Sequence, residues 1–219
     1  MILYIESCAT EGDDMKFENT EVWGFKHALR GMRNPLNSWD KSDTEYYYND
    51  NGLQADIGDN DMILAKRLIA GGSEHRKFLR QIMVSVDITA PLYWFKEFDT
   101  YKVGTTANST STMHTLMKNP ITVDCFELDD YRQEIDYEIG IENNGIESYE
   151  IIQFCEALRK KYLETQDRRY WKELVRWLPE SWLQTRTVTM SYENLRAMYH
   201  QRKNHKLSEW SVSFVNWVL

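Results

Sequence analysis

An α+β fold, a mixed or antiparallel sheet packed with helices, is what this sequence predicts, and three observations carry it. Strict apolar alternation at Ile82, Val84, Val86 and Ile88 marks a strand with one buried face. Segments with apolar residues at helical spacing surround that strand, the longest of them over 148–165. No repeat, low-complexity tract or linker interrupts the 219 residues, so the chain reads as one domain over 1–219 with a polar insertion at about 36–60.

The elements follow in order. Ile2 to Glu6 reads as a first strand. Asn19 or Thr20 is placed to cap a helix with Val22, Phe25 and Leu29 on its apolar side, ended by Asn34-Pro35. Beyond the insertion, Asp61 to Ala70 is helical, with Leu64, Ala65 and Leu68 on one face and Gly71-Gly72 as its stop. The alternating strand comes next, and after it the aromatic stretch Pro91 to Phe98. Ser148 to Thr165 is an amphipathic helix through Ile151, Phe154, Cys155, Leu158 and Tyr162; Tyr170 to Leu178 is another, closed by Pro179. Thr187 to Met190 is a short strand, Ser191 caps a helix carrying Leu195, Met198 and Tyr199, and Trp210, Phe214 and Trp217 define the last helix.

Composition narrows the class. With 42% hydrophobic residues the chain can bury a core, and no apolar run approaches the ~18 residues a membrane span needs. The start, Met1-Ile2-Leu3-Tyr4-Ile5-Glu6, lacks the basic segment of a secretory signal. Cys8, Cys125 and Cys155 are widely spaced and form no C-x-x-C, which argues for free thiols in a cytoplasmic compartment and against a disulfide framework or a zinc site. A net charge of -8 speaks against a protein that coats a nucleic acid polymer. The charge is uneven, however. Acidic residues crowd 40–61 without the spacing of a calcium loop, whereas 196–206 carries Arg196, Arg202, Lys203, Lys206, His200 and His205 with no acid. An acidic chain that keeps one basic segment uses it locally.

Two segments point to chemistry. From Phe95 to His114 the chain is dense in Ser, Thr and Asn, short donors suited to a phosphate or a base, and Gly104 allows close backbone approach. Trp94 stands beside this run, where it is placed to flank a ring. In the basic segment, Arg196 and Arg202 lie six positions apart, about 240° around a helix at ~100° per residue. They therefore do not share a face. Arg202 falls with Leu195, Met198 and Tyr199 on the apolar side, where an arginine requires an anionic or planar partner.

Together these segments resemble the flavin-dependent thymidylate synthase family. Its signature, R-H-R-x-x-S-x-N-E-x-S-x-R, follows an apolar segment containing a proline; aligned at Pro91 it falls on Thr100 to Thr112. Lys102 stands for an arginine and Thr105 and Thr110 for the two serines, while Thr100, Tyr101, Ala107, Asn108 and Thr112 depart from the motif. Farther on, Leu178-Pro179 matches the family's L-P with Arg176 just before it, Asn194-Leu195-Arg196 matches N-x-R, and Glu209-Trp210 stands for Gln-Trp. The counterpart of the arginine on the uracil ring is Arg202, with Lys203 as the alternative because the spacing is not identical.

The resemblance implies a homotetramer that binds FAD at a subunit interface and methylates dUMP, with methylenetetrahydrofolate as carbon donor and NADPH as reductant. His75, Lys102, Asn194 and Arg196 would contact the cofactor; Thr105, Thr110, Arg176 and Arg202 would hold the nucleotide, with Arg202 in the catalytic position. Replacing arginine by threonine at 100 and 112 removes two positive charges from the expected anion site. A binding protein that has lost the reaction is therefore the alternative reading.

Overall fold

The computed structural model describes residues 15–49, 52–128 and 148–219, so the first-strand expectation at Ile2 to Glu6 lies outside the described residues. A four-stranded antiparallel sheet has the order β1-β4-β6-β5, formed by β1 (Lys16–Trp23), β4 (Met83–Pro91), β6 (Leu183–Ser191) and β5 (Thr105–Ser109). β4 and β6 pair over their whole length, from Met83 opposite Ser191 to Pro91 opposite Leu183. Period-two alternation then sorts the side chains. Val84, Val86, Ile88 and Ala90, with Val188 and Met190, are buried on one face. The opposite face carries hydroxyl pairs, Ser85 with Thr189 at 2.9 Å and Thr89 with Thr185 at 2.8 Å.

Residues 16–23 form an edge strand and not the capped helix that Asn19 or Thr20 suggested. Asn19 instead adopts φ 53° where the pairing with β4 slips between Glu18 and Glu21, a bulge whose side-chain amide donates to Asp87 at 2.8 Å. Asn tolerates that left-handed geometry, which explains why a residue that looks like a cap sits inside a strand. The helix, α1 (Phe25–Arg33), starts only after Gly24, at φ 96°. A Cβ on Gly24 would sit 2.1 Å from the Gln81 carbonyl oxygen, so the turn requires glycine.

The polar insertion is ordered where it is described. It holds two short 3-10 turns and the hairpin β2 (Glu45–Asn49) and β3 (Gly52–Asp56) before α2 (Asp59–Ala70). Asp61 in α2 is fully buried and accepts from Arg33 Nε, Ser42 Oγ and Thr44 Oγ1, each at 2.6 Å. Asp43 accepts from the backbone amides of Asn60 and Asp61 and so closes the first turn of α2.

Strand β4 runs directly into α3 (Leu92–Phe98), and β6 runs directly into α7 (Tyr192–Arg202). Because their parent strands are antiparallel neighbours, the two helices enter from opposite ends of the sheet. Their apolar sides join Phe17 and the sheet face in one core with Trp94, Phe95, Phe98, Leu195 and Met198. The last segment, a π-helical turn at Glu209–Phe214 followed by α8 (Val215–Val218), seats Trp210, Phe214 and Trp217 in that core, as their spacing predicts. Trp94 is fully buried against Phe98 and Trp210, so it does not flank a ligand ring.

A second, smaller cluster joins Leu116, Ile121 and Phe126, beyond the short α4 (Thr112–Thr115), to Ile152, Cys155 and Leu174. The last three come from α5 (Ser148–Thr165) and α6 (Arg168–Trp177). The buried side of α5 is rotated from the expected one. Cys155 and Leu158 face this cluster together with Ile152, but Ile151 and Phe154 are exposed, because Arg159 and Glu156 occupy the inner turn as a salt bridge of 2.7 Å.

Candidate functional site

The middle of the polar run, Thr105–Ser109, is a strand at the edge of the described sheet, between the end of α3 and α4. Consecutive threonines suit extended backbone, and β5 pairs with β6 from Thr105 opposite Met190 to Ser109 opposite Arg186. Its start is fixed to α7. Ser191 is the N-cap of α7, its hydroxyl accepting from the Asn194 amide at 3.3 Å, as the sequence indicates. Asn194 Nδ2 then donates to the Val103 carbonyl at 2.8 Å and to Thr105 Oγ1 at 3.0 Å, while its Oδ1 accepts from Ser191 Oγ at 3.1 Å. Both donors of that amide are thus committed within the chain. Gly104, at φ 74°, brings the backbone to the Asn194 side chain, and a Cβ there would lie 3.4 Å from Nδ2.

Around this junction lie the cations. Arg76, in the turn beside the exposed His75, donates through Nε to both carboxylate oxygens of Glu193 at 2.9 and 3.0 Å, which holds that turn to the first turn of α7. One turn on, Arg196 makes no salt bridge with a described residue, and His200 and then the C-cap residue Lys203 follow on the same face. Partial desolvation, then the charges of Arg196, Lys203 and Arg76, hold the His200 imidazole below its ordinary pKa. Lys102 is exposed and adjoins the Asn194 junction through Val103. This face of α7, from Arg196 to the C-cap Lys203, is an open cluster of positive charge.

On the apolar face of α7, at its last residue, the charge is answered. Arg202 Nη1 donates to Glu97 Oε2 at the end of α3, and its Nε donates to Tyr101 Oη at 2.8 Å. Its guanidinium lies over the Trp210 ring at 4.8 Å from the centroid. His205 Nδ1 accepts from the Leu207 amide at 3.2 Å, which leaves the proton on Nε2, 3.2 Å from the same Glu97 oxygen. Arg202 therefore has both an anionic and a planar partner, supplied by this chain.

The remaining candidates are elsewhere. Thr110 lies five residues beyond Thr105, about 17 Å along an extended chain, and its backbone amide and carbonyl are tied to Thr185 and Gln184. Arg176, on α6, is exposed and pairs with Glu173 at 2.7 Å. Within one protomer the structure gathers His75, Lys102, Asn194, Arg196, Thr105 and Arg202 along α7 and leaves Thr110 and Arg176 outside that group. Glu97, Tyr101, His205 and Arg76 join this group, and the sequence did not mark them as partners of Arg202 or of the first turn of α7. A signal for Glu97 existed: an acid-free basic segment needs a counter-charge, and Glu97 interrupts an aromatic stretch close to the polar run.

The fold has clear relatives among solved structures. Two crystal structures of the flavin-dependent thymidylate synthase ThyX from Helicobacter pylori, both with FAD and dUMP, superpose with TM-scores of 0.59 and 0.60. The first is 16% identical and the match covers 89% of this chain and 87% of that one; the second is 15% identical, covering 91% and 88%. The chain has the flavin-dependent thymidylate synthase fold. No protein-family model matches the chain, and no curated protein matches it significantly.

Proposed function

We propose that the chain is a divergent flavin-dependent thymidylate synthase that binds FAD and a uracil nucleotide and carries out, weakly, the reductive methylation of dUMP. The observation that carries this reading is the α7 cluster on a fold shared with proteins that bind FAD and dUMP. The donors suit a flavin pyrophosphate: Arg196, His200 and Lys203 face no described counter-charge beyond Glu193, and Arg76 and His75 flank them. Lys102 adds a further cation. Asn194, its amide committed, fixes the segment Lys102 to Thr105 against α7.

Bound and reduced, FAD would supply the hydride, with methylenetetrahydrofolate as the carbon source and NADPH as the reductant. The chain's own residues bind and orient. Thr105 and Arg202 would meet the nucleotide from this protomer, and Thr110 and Arg176, remote from α7 here, would serve a site shared between subunits of a homotetramer. Cys155 is no candidate nucleophile, since burial pushes its thiol up to about 11. Among the described residues no helix is long and apolar enough to cross a membrane, and a cytoplasmic location belongs to this proposal.

A second reading, retention of the binding site without turnover, is favoured by one observation: Arg202 is already paired with Glu97. The absorption spectrum of the purified protein, its elution volume, and tritium release from dUMP separate the outcomes. A yellow tetramer with slow turnover supports the enzyme, and a yellow tetramer without it supports the second reading. A monomer that stays colourless with added FAD refutes both.

A further inference from the structure

We infer that His200 is a proton-linked ligand for the diphosphate of the cofactor, neutral in the free protein and protonated when the anion is bound. This assignment rests on the flavin reading above and deepens it. Glu193, Arg196, His200 and the C-cap residue Lys203 follow one another at three and four residues, so they share one face of α7. The single acid of that stripe is engaged, since Arg76 Nε donates to both oxygens of Glu193 at 2.9 and 3.0 Å. The three basic positions beyond it have no salt bridge with a described residue, and His200, between the two permanent cations, is exposed. An anion that spans Arg196 and Lys203 must pass over the imidazole.

In the free protein the surroundings favour the neutral ring. Burial, then the charges of Arg196, Lys203 and Arg76, hold it below its ordinary pKa, and no carboxylate, Glu74 of the neighbouring turn included, is among the groups that act on it. The elements packed against α7 do not supply one either. The 3-10 turn Lys77–Gln81 brings only the cations Lys77 and Arg80, Arg186 of β6 is paired with Asp99, and α8 carries no charge. Glu209 of the last segment is buried and accepts from Tyr93, while Arg202 and His205 turn to Glu97 on the other face. A bound diphosphate reverses the local sign, and a protonated imidazole then offers it a charge-assisted donor that the neutral ring lacks. The ring takes that proton from solvent. Its pKa is low in the free protein and raised in the complex, so binding is tightest below the free value and weakens as pH rises through the bound one.

Calorimetric titration of the protein with FAD, in two buffers of different ionisation enthalpy, counts the protons taken up on binding. The diphosphate of FAD is esterified at both ends and keeps its charge near neutrality, so uptake there belongs to the protein. The native protein is expected to take up about half a proton or more near pH ~6.5 and to bind FAD about fivefold more tightly at pH ~6 than at pH ~8. His200→Asn, a change at an exposed position, is expected to lose both the uptake and the pH dependence. His200→Lys, which fixes the charge, is expected to lose the uptake while binding at pH ~8 at least about threefold more tightly than His200→Asn does. His75→Asn is expected to keep the uptake. Native binding of FAD without proton uptake overturns the role of His200 while leaving the flavin site standing, and needs no variant to fold. Uptake that survives His200→Asn, or that His75→Asn abolishes, does the same. A protein that binds no FAD at any pH removes the flavin site and this assignment with it.

Discussion

Two arginine–carboxylate pairs in this molecule use the same chemistry to opposite ends. Arg33 and Asp61 are sealed, with side chains 5% and 0% exposed, and Asp61 has a further hydroxyl donor in each of Ser42 and Thr44. Arg202 and Glu97 are open, at 16% and 34% exposed, with acceptor and donor capacity still facing outward. A sealed pair has no alternative partner, so it can only hold α1, α2 and the insertion together. An open pair can exchange partners with a ligand. Exposure, not the identity of the residues, separates the anchor from the site.

The sealed pair gives the largest expected effect. Asp61→Ala leaves the Arg33 guanidinium buried without its counter-charge and should cost about 3–5 kcal/mol in urea unfolding. The pH dependence follows from the same contacts. Burial pushes the Asp61 carboxyl up, but hydrogen bonds from Ser42, Thr44 and Arg33, with the Arg33 charge, outweigh it and hold the carboxyl below its ordinary value. The unfolded chain therefore binds the proton more readily. The stability from Asp61 is fully present above the unfolded carboxylate range near ~4 and is lost as pH falls through the lower folded value. Asp61→Asn should abolish that part of the acid dependence. If acid unfolding of Asp61→Asn parallels the native curve, the pair is not the anchor described.

Legibility in the sequence follows the same division. Elements with strong local periodicity were readable: the strand at 82–88, the helix at 61–70, the Ser191 cap and the aromatic seat of Trp210, Phe214 and Trp217 all depend on spacing or on a neighbour within one turn. Features set by distant partners were not. Residues 16–23 are a strand because β4 lies beside them, and their bulge at Asn19 imitates a cap. The insertion looked merely polar because its order depends on Asp61 reaching back across 28 residues to Arg33. In the site, the need of Arg202 for an anionic or planar partner was evident from its helix face, but that the partner is Glu97, 105 residues away, is a tertiary fact.

Intermediate in size is the effect expected at the open pair. Arg202→Ala removes a charge-assisted donor from the ligand and should weaken uracil-ligand binding by about 1.5–3 kcal/mol in calorimetry. Because the pair is partly solvated, its loss should cost the fold much less than Asp61→Ala does. Stability equal to that of the native protein is not required, since the guanidinium also covers the Trp210 ring. Unchanged ligand affinity, or unfolding as severe as in Asp61→Ala, would erase the contrast between the two pairs.

The smallest expected effect sharpens the contrast within α7 itself. Ser191→Ala removes the hydroxyl that accepts from the Asn194 amide and donates to Asn194 Oδ1, so it should lower stability by about 1 kcal/mol, the usual worth of an N-cap. It also frees Asn194 from one of the contacts that hold Val103 and Thr105 against the helix. Flavin binding, proposed for the open face of α7, should then weaken, while the Glu97–Arg202 pair on the other face, more than two turns from Asn194, is left in place. Ser191→Asp restores a side-chain acceptor for the helix amide and should recover the stability, but it adds a negative charge beside Arg196 and Arg76. If that charge leaves flavin affinity at the native value, the open cations of α7 do not hold the pyrophosphate, and the two faces of the helix are not divided as proposed.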